Sequence, residues 1–250
     1  MTFKAFLAAM EHTAIILWAT IGTAVMNGFI NYALIFGNWG MPELGLRGSA
    51  IASLIVQILS LLVIAAYVKY ALPQQQIFAR IWRPDWDAFF LVGRIGVPIG
   101  FTMLAEVGLF ATATLMMGWL GTIPLAAHGV ALQLTSATFM VHLGLSNAAT
   151  VRAGNALGRR DVAHLARGAK VVTVMSLGVA LVTIALFVAF PEQLIALFLD
   201  PDEPNKEAIM AVGAVLLLMA GVFQLVDASQ VMALGLLRGL RDTKLPMIYD

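Results

Sequence analysis

Six long apolar stretches, separated by polar or turn-rich links, dominate the chain: 13–36, 46–70, 89–120, 123–151, 162–198 and 208–237. Each exceeds the roughly 20 residues that a helix needs to cross a hydrocarbon core about 30 Å thick. The apolar residues run on without period-2 alternation, which predicts helices and not the strands of a barrel. Glycine and other small residues recur inside the stretches. They are costly in a soluble helix but normal where membrane helices pack closely. The expected fold class is all-α, a polytopic membrane helix bundle with six transmembrane helices.

The links carry turn chemistry and charge. A short loop spans 37–45, and a longer segment at 72–87 holds prolines near both ends together with Trp82, Arg83 and Trp86, residues that suit a membrane interface. The links at 154–170 and 238–246 are basic, and the one at 199–207 is acidic. If six spans alternate sides, thirteen of the fifteen Lys and Arg fall on one side, and Arg47 and Lys206 alone fall on the other. The excess of positive charge marks the cytoplasmic side. Both ends of the chain and the links near 80 and 160 are then expected in the cytoplasm, with the membrane being the cell inner (plasma) membrane. The first residues lack the short apolar core and small-residue cleavage site of a secretory signal, so the spans themselves are expected to direct insertion.

Composition narrows the classes further. Of the 250 residues, 60% are hydrophobic and 12% charged, about half the charged fraction of an ordinary soluble domain. The formal net charge of +1 provides no bulk field for nucleic acid, which is not expected as a partner. There is no cysteine, which removes disulfides, zinc-thiolate sites and thiol nucleophiles. HExxH, GxSxG and P-loop patterns are also missing, so an enzyme is not expected.

Against this background, two acids stand out. Most of the fourteen Asp and Glu sit in links or at span ends, but Glu106 lies inside the third span and Asp227 inside the sixth. Glu106 is twelve residues from Arg94, about 18 Å at 1.5 Å per residue. Asp227 is eleven residues from Arg238, about 17 Å. Both carboxyls are therefore expected near one level, close to the bilayer midplane. The Lys and Arg within the stretches lie near their ends and none lies at this depth to neutralise the acids, which suggests a bound cation, sodium being one choice of metal, or a retained proton. The alternative is two protonated acids, each hydrogen-bonded to a neighbouring helix.

Other polar groups share the spans. Gln224 and Gln230 flank Asp227 by three residues each, and Gln133 lies in the fourth span with Thr135 and Ser136. They can offer neutral oxygens to a hard cation or simply bond helix to helix. His142, deep in the fourth span, suits either a proton relay or a satisfied packing residue. Asn27 and Asn31, one turn apart on the first span, suit a pathway lining or interhelical bonding. Pro98 deprives the Glu106 helix of one backbone hydrogen bond and can kink it.

The segments NYALIFG (31–37), PELGLRGSAIAS (42–53), GVPIGFTMLAEVGLFATATLMMGWLGTIPLAAHGVAL (96–132), TFMVHLGLSNAATVRAGNALG (138–158) and LGLLRGLRDTKLPM (234–247) resemble the multidrug and toxic compound extrusion (MATE) family. The likeness covers nearly the whole chain in order and spacing. It implies a two-lobed, twelve-helix transporter that exports organic, often cationic, compounds in exchange for sodium ions or protons, with no other cofactor. On that likeness the chain corresponds to about helices five to ten. Residues 1–72 would end the first lobe with two spans, 73–88 would be a cytoplasmic inter-lobe linker, and 89–250 would form most of the second lobe, with four spans and the start of a fifth. Its partners would be the lipid bilayer, small organic substrates and the remaining upstream and downstream helices of the same protein. Glu106 and Asp227 match the family's seventh- and tenth-helix acids, and Phe223 matches the aromatic one turn before the latter. Two departures are visible. The family's first-helix acid would lie upstream of this chain, and His142 stands where the eighth helix commonly has proline. A lipid-linked sugar flippase of the same superfamily and an intramembrane enzyme using Glu106 and Asp227 are the rival readings.

Overall fold

A computed structural model describes residues 2–10, 12–71, 85–200 and 204–242. The interfacial segment expected at 72–87 and the final residues from 243 lie mostly or wholly outside that range. Among the described residues there are eight α-helices and no strand: α1 (Thr2–Ala9), α2 (Thr13–Phe36), α3 (Gly45–Ala71), α4 (Trp86–Leu120), α5 (Thr122–Gly158), α6 (Val162–Ala189), α7 (Pro191–Ala196) and α8 (Lys206–Gly239). They divide into two compact units, one up to Asp85 and one from Trp86.

In the first unit α2 and α3 form an antiparallel hairpin. Gly37 closes α2 in the left-handed conformation, φ 68°, which glycine adopts without strain. A single 3-10 turn over Asn38–Gly40 follows, and the Leu44 amide donates back to the Leu34 carbonyl at 3.0 Å. The buried positions of α3 are Gly48, Ala52, Val56, Ser60, Ile64 and Val68, one every fourth residue. That spacing makes a single ridge along the helix. Its first member must be glycine, because a Cβ at 48 would run into the Leu34 carbonyl. At the other end Ile64 and Val68 enclose Leu7 of α1.

In the second unit α5 and α8 form the axis, with α6 packed on both, α4 on α5, and α7 on α8. Ser146 Oγ donates to the Val231 carbonyl and Thr150 Oγ1 to the Gly235 carbonyl, both at 2.8 Å and both across 85 residues of sequence. A constant offset means that the two helices run parallel and in register. Their backbones approach so closely that a Cβ at Gly235 would collide with Ser146, and one at Gly239 would come within 2.7 Å of the Ala153 Cβ. The α5 face at this seam is built of small residues, including Ala149, Ala153 and Ala156. Small faces let membrane helices gain van der Waals contact in lipid, where no hydrophobic force drives them together.

Five helices, α2, α3, α4, α6 and α8, are long and apolar enough to cross a membrane. The fourth expected span, 123–151, corresponds to α5, which at 37 residues is the longest of the described helices but is less apolar. Its Ala, Gly, Ser, Thr and His residues serve packing and hydrogen bonding inside the bundle. The fifth stretch was expected to continue to residue 198. Instead α6 stops at Ala189, Phe190 leaves helical geometry (φ −134°, ψ 44°), and Pro191 starts α7. Proline disfavours helical geometry in the residue before it and is well placed at a first helical position. The basic link expected at 154–170 also shrinks, because α5 runs to Gly158 and α6 begins at Val162 with the Asp161 carboxylate accepting the His164 amide at 2.9 Å. Pro98 does not interrupt α4, and the Thr102 hydroxyl donates to its carbonyl at 3.2 Å.

The seam makes a stability prediction. Gly235→Leu should destabilise the second unit by about 1–3 kcal/mol through overpacking, read as an earlier thermal unfolding transition in detergent. Gly144→Ala, where a Cβ meets nothing within 4 Å, should leave the transition where it is or raise it slightly.

Candidate functional site

Helices α4, α5 and α8 line a cavity of about 340 Å³, and both intramembrane acids face it. Helical periodicity brings each contribution to the same side. On α4, Glu106, Phe110 and Thr114 recur every fourth residue with Val107 and Ala111 beside them. On α5, Leu132, Thr135, Ser136 and Phe139 share a face, and on α8 Phe223 and Asp227 are one turn apart. Asp227 is 8% exposed, whereas Glu106 is half-buried. The Phe110 and Phe223 rings meet edge to face, centroids 6.3 Å apart and planes at 89°, and so tie the α4 and α8 walls together beside the acids.

Among the described residues no Lys, Arg or His lines the cavity. Among the described residues no cluster of three or more His, Cys, Asp or Glu forms. Two of the cavity hydroxyls, those of Thr114 and Thr135, are oriented by their own helices. Thr114 Oγ1 donates to the Phe110 carbonyl at 2.9 Å and Thr135 Oγ1 to the Ala131 carbonyl at 2.7 Å. With those protons engaged, the hydroxyl oxygens have only lone pairs left to present. Two carboxyls plus acceptor oxygens make an all-oxygen donor set, the kind that hard cations take. The aromatic faces next to them suit an organic cation.

The other polar candidates do not line this cavity. Three residues make 300° of helical turn, so Gln224 and Gln230 sit about 60° to either side of Asp227. Gln224 turns into the α5 interface, fully buried, and donates Nε2 to Thr138 Oγ1 at 3.0 Å. Its Oε1 is buried with no hydrogen-bond partner among the described residues. Gln230 and Gln133 are exposed. His142 is fully buried between α5 and α6, with Nδ1 2.8 Å from Ser176 Oγ, and its Nε2 also lacks a partner among the described residues. Asn27 and Asn31 belong to the first unit, where the Asn31 amide donates to the Asn27 side-chain oxygen at 2.7 Å. Conversely, Phe110, Thr114 and Phe139 were not singled out in the sequence. The signal that finds Phe110 and Thr114 is their spacing of four and eight residues from Glu106; Phe139 needs the packing of α5.

Fold and site together define a multi-pass, all-α membrane protein with two acids at a cavity between its helices. The family model MatE matches residues 98–249, and the chain belongs to the MatE family. It is 45% identical over 250 residues to a probable multidrug resistance protein NorM of Rhizobium meliloti, covering 99% of this chain and 54% of the relative. It is 46% identical over 245 residues to a protein of the same description in Agrobacterium fabrum, covering 97% and 53%. A multidrug resistance protein NorM of Burkholderia vietnamiensis is 36% identical over 247 residues, covering 98% and 53%. The chain thus spans about half the length of the curated relatives it matches.

The ring contact at the cavity is measurable. A double-mutant cycle with Phe110→Leu and Phe223→Leu, followed by thermal unfolding in detergent, should give a coupling of about 0.5–1.5 kcal/mol. A coupling near zero would mean that the two walls are not joined through these rings.

Proposed function

We propose that this chain forms part of a secondary active multidrug efflux antiporter in the cell inner membrane, exporting organic, often cationic, compounds in exchange for sodium ions or protons. The observation that carries this reading is the cavity where Glu106 and Asp227 meet acceptor oxygens and aromatic rings with no basic side chain. The relatives, described as multidrug resistance proteins, support the substrate class.

In this reading residues 1–72 and 89–250 belong to two lobes joined by a cytoplasmic linker at 73–88, and both ends of the chain face the cytoplasm. The thirteen-to-two distribution of Lys and Arg supports that orientation. The coupling cation is transported, not retained. It binds between Glu106 on α4 and Asp227 on α8, with Thr114 and Thr135 as neutral oxygen donors. Phe110 and Phe223 offer faces to an organic substrate. Cation and drug then compete for one set of negative charges, which is the simplest way to couple their exchange. The cation drives the cycle only through a difference in affinity between the outward- and inward-facing states, and carboxyls on two separate helices make that affinity sensitive to helix spacing. A flippase for pyrophosphate-linked sugars would need cationic side chains at the cavity, and none of the described residues lining it is one. No metal-hydrolase or nucleophile motif accompanies the acids, so a transporter is favoured over an intramembrane enzyme.

The test is reconstitution in proteoliposomes, with ethidium as substrate and sodium or proton gradients imposed separately. Glu106→Gln and Asp227→Asn should each lower gradient-driven ethidium transport at least tenfold. The gradient that drives transport in the unaltered protein identifies the ion. Transport that stays gradient-driven and unchanged in both variants would overturn the assignment of these acids.

A further inference from the structure

A second cavity lies in the same unit, away from the paired acids. It occupies about 400 Å³ beside the α5–α6 turn and includes Leu236 of α8 in its wall. Its chemistry is the reverse of the first. Arg152, His164 and Arg167 line it, and among the described residues no carboxylate does. Asp161, in the adjoining turn, uses its carboxylate on the His164 backbone amide.

The cavity is polar at one end and apolar at the other. Arg152 lies in the last two turns of α5 and Arg167 in the first two of α6, so both sit where the hairpin meets the membrane surface. From there the lining continues toward the middle of the spans. Leu145 is seven residues from Arg152, about 10 Å along α5, and Met175 is eight from Arg167, about 12 Å along α6. Val171 and Met175 are 51% and 54% exposed, so the apolar end is open on the helix surface.

We propose that this cavity is a binding site for an anionic glycerophospholipid. The phosphodiester headgroup is held by the Arg152 and Arg167 guanidiniums, with His164 at its edge, and one acyl chain lies over Leu145, Val171 and Met175. Two guanidiniums with no lining carboxylate match a phosphate, which arginine binds in a bidentate manner. Basic pockets between membrane helices near the surface are suited to such headgroups. Inorganic phosphate satisfies the arginines alone and leaves about 10 Å of apolar wall unused; a zwitterionic lipid satisfies the wall but brings its own cation to the arginines. The site requires only that the helices span a bilayer, so it is independent of the transport reading.

The experiment is native mass spectrometry of the purified chain, titrated with equal phosphatidylglycerol and phosphatidylcholine. Phosphatidylglycerol should remain bound at least tenfold more than phosphatidylcholine, and R152Q with R167Q should abolish the preference. R152K with R167K should keep part of it, and Arg94→Gln, at a residue outside the cavity lining, should keep all of it. Millimolar inorganic phosphate should not displace the lipid. A second measurement leaves the arginines intact: Met175→Trp should add fluorescence that brominated phosphatidylglycerol quenches more strongly than brominated phosphatidylcholine. Equal retention of both lipids, an unchanged preference in the glutamine variant, displacement by phosphate, or equal quenching by both brominated lipids would each overturn the proposal.

Discussion

Close backbone contact between α5 and α8 is the constraint on which the second unit depends. It exists because Gly235 and Gly239 have no side chain where Ser146, Thr150 and Ala153 press against them. It is held in register because the Ser146 and Thr150 hydroxyls reach across to carbonyls of α8. In lipid the hydrophobic effect does not distinguish one apolar face from another. Packing shape and polar pairing must decide which faces meet, and this seam supplies both. The price is polarity: α5 holds so many small and hydroxylated residues that it is the least apolar of the six long helices.

The seam also sets the site. Once α8 is fixed against α5, the wall of Thr135, Ser136 and Phe139 faces the same space as Phe223 and Asp227. α4 completes the cavity from the α5 side, joined through the Phe110–Phe223 ring contact. The acids therefore hang from two helices that do not hold one another by an extensive interface. In the proposed reading, an ion seated between them would add a tie where the packing supplies few. Gln224 at this seam and His142 between α5 and α6 are fully buried with one polar atom each left unpaired among the described residues. Unpaired polar atoms in a dry interior are costly, and they mark these interfaces as places where packing has been given up for polarity.

The two cavities of this unit divide charge between them. Among the described residues the cavity at the acids carries no base, and the cavity at the α5–α6 turn carries no acid. Each lies at the depth its charge tolerates: arginines near the helix ends, where guanidiniums reach water and headgroups, and carboxyls far from any cationic end. In the two proposed readings one bundle would take a cation at the paired acids and an anion at the α5–α6 turn without the sites sharing a residue.

Much of this was legible in the chain itself. The helical class followed from apolar runs long enough to span a bilayer, and the common level of Glu106 and Asp227, which face one cavity, followed from counting residues to Arg94 and Arg238, because a helix converts sequence distance into height at a fixed rate. Likeness to the multidrug and toxic compound extrusion family was visible in the motifs around Glu106 and in the 138–158 segment. Azimuth was not legible. Counting residues places Gln133, Gln224, Gln230 and His142 near plausible levels, but which way each points depends on how the helices rotate against one another. Packing turned Gln224 and His142 into the interior of the bundle and left Gln133 and Gln230 outside. It also brought Phe139 to the acids, whereas the alignment of Phe110 and Thr114 with Glu106 and the break at Phe190–Pro191 are local to the sequence. Height along a membrane helix is a property of the sequence, whereas rotation is settled by the neighbours against which its small faces close.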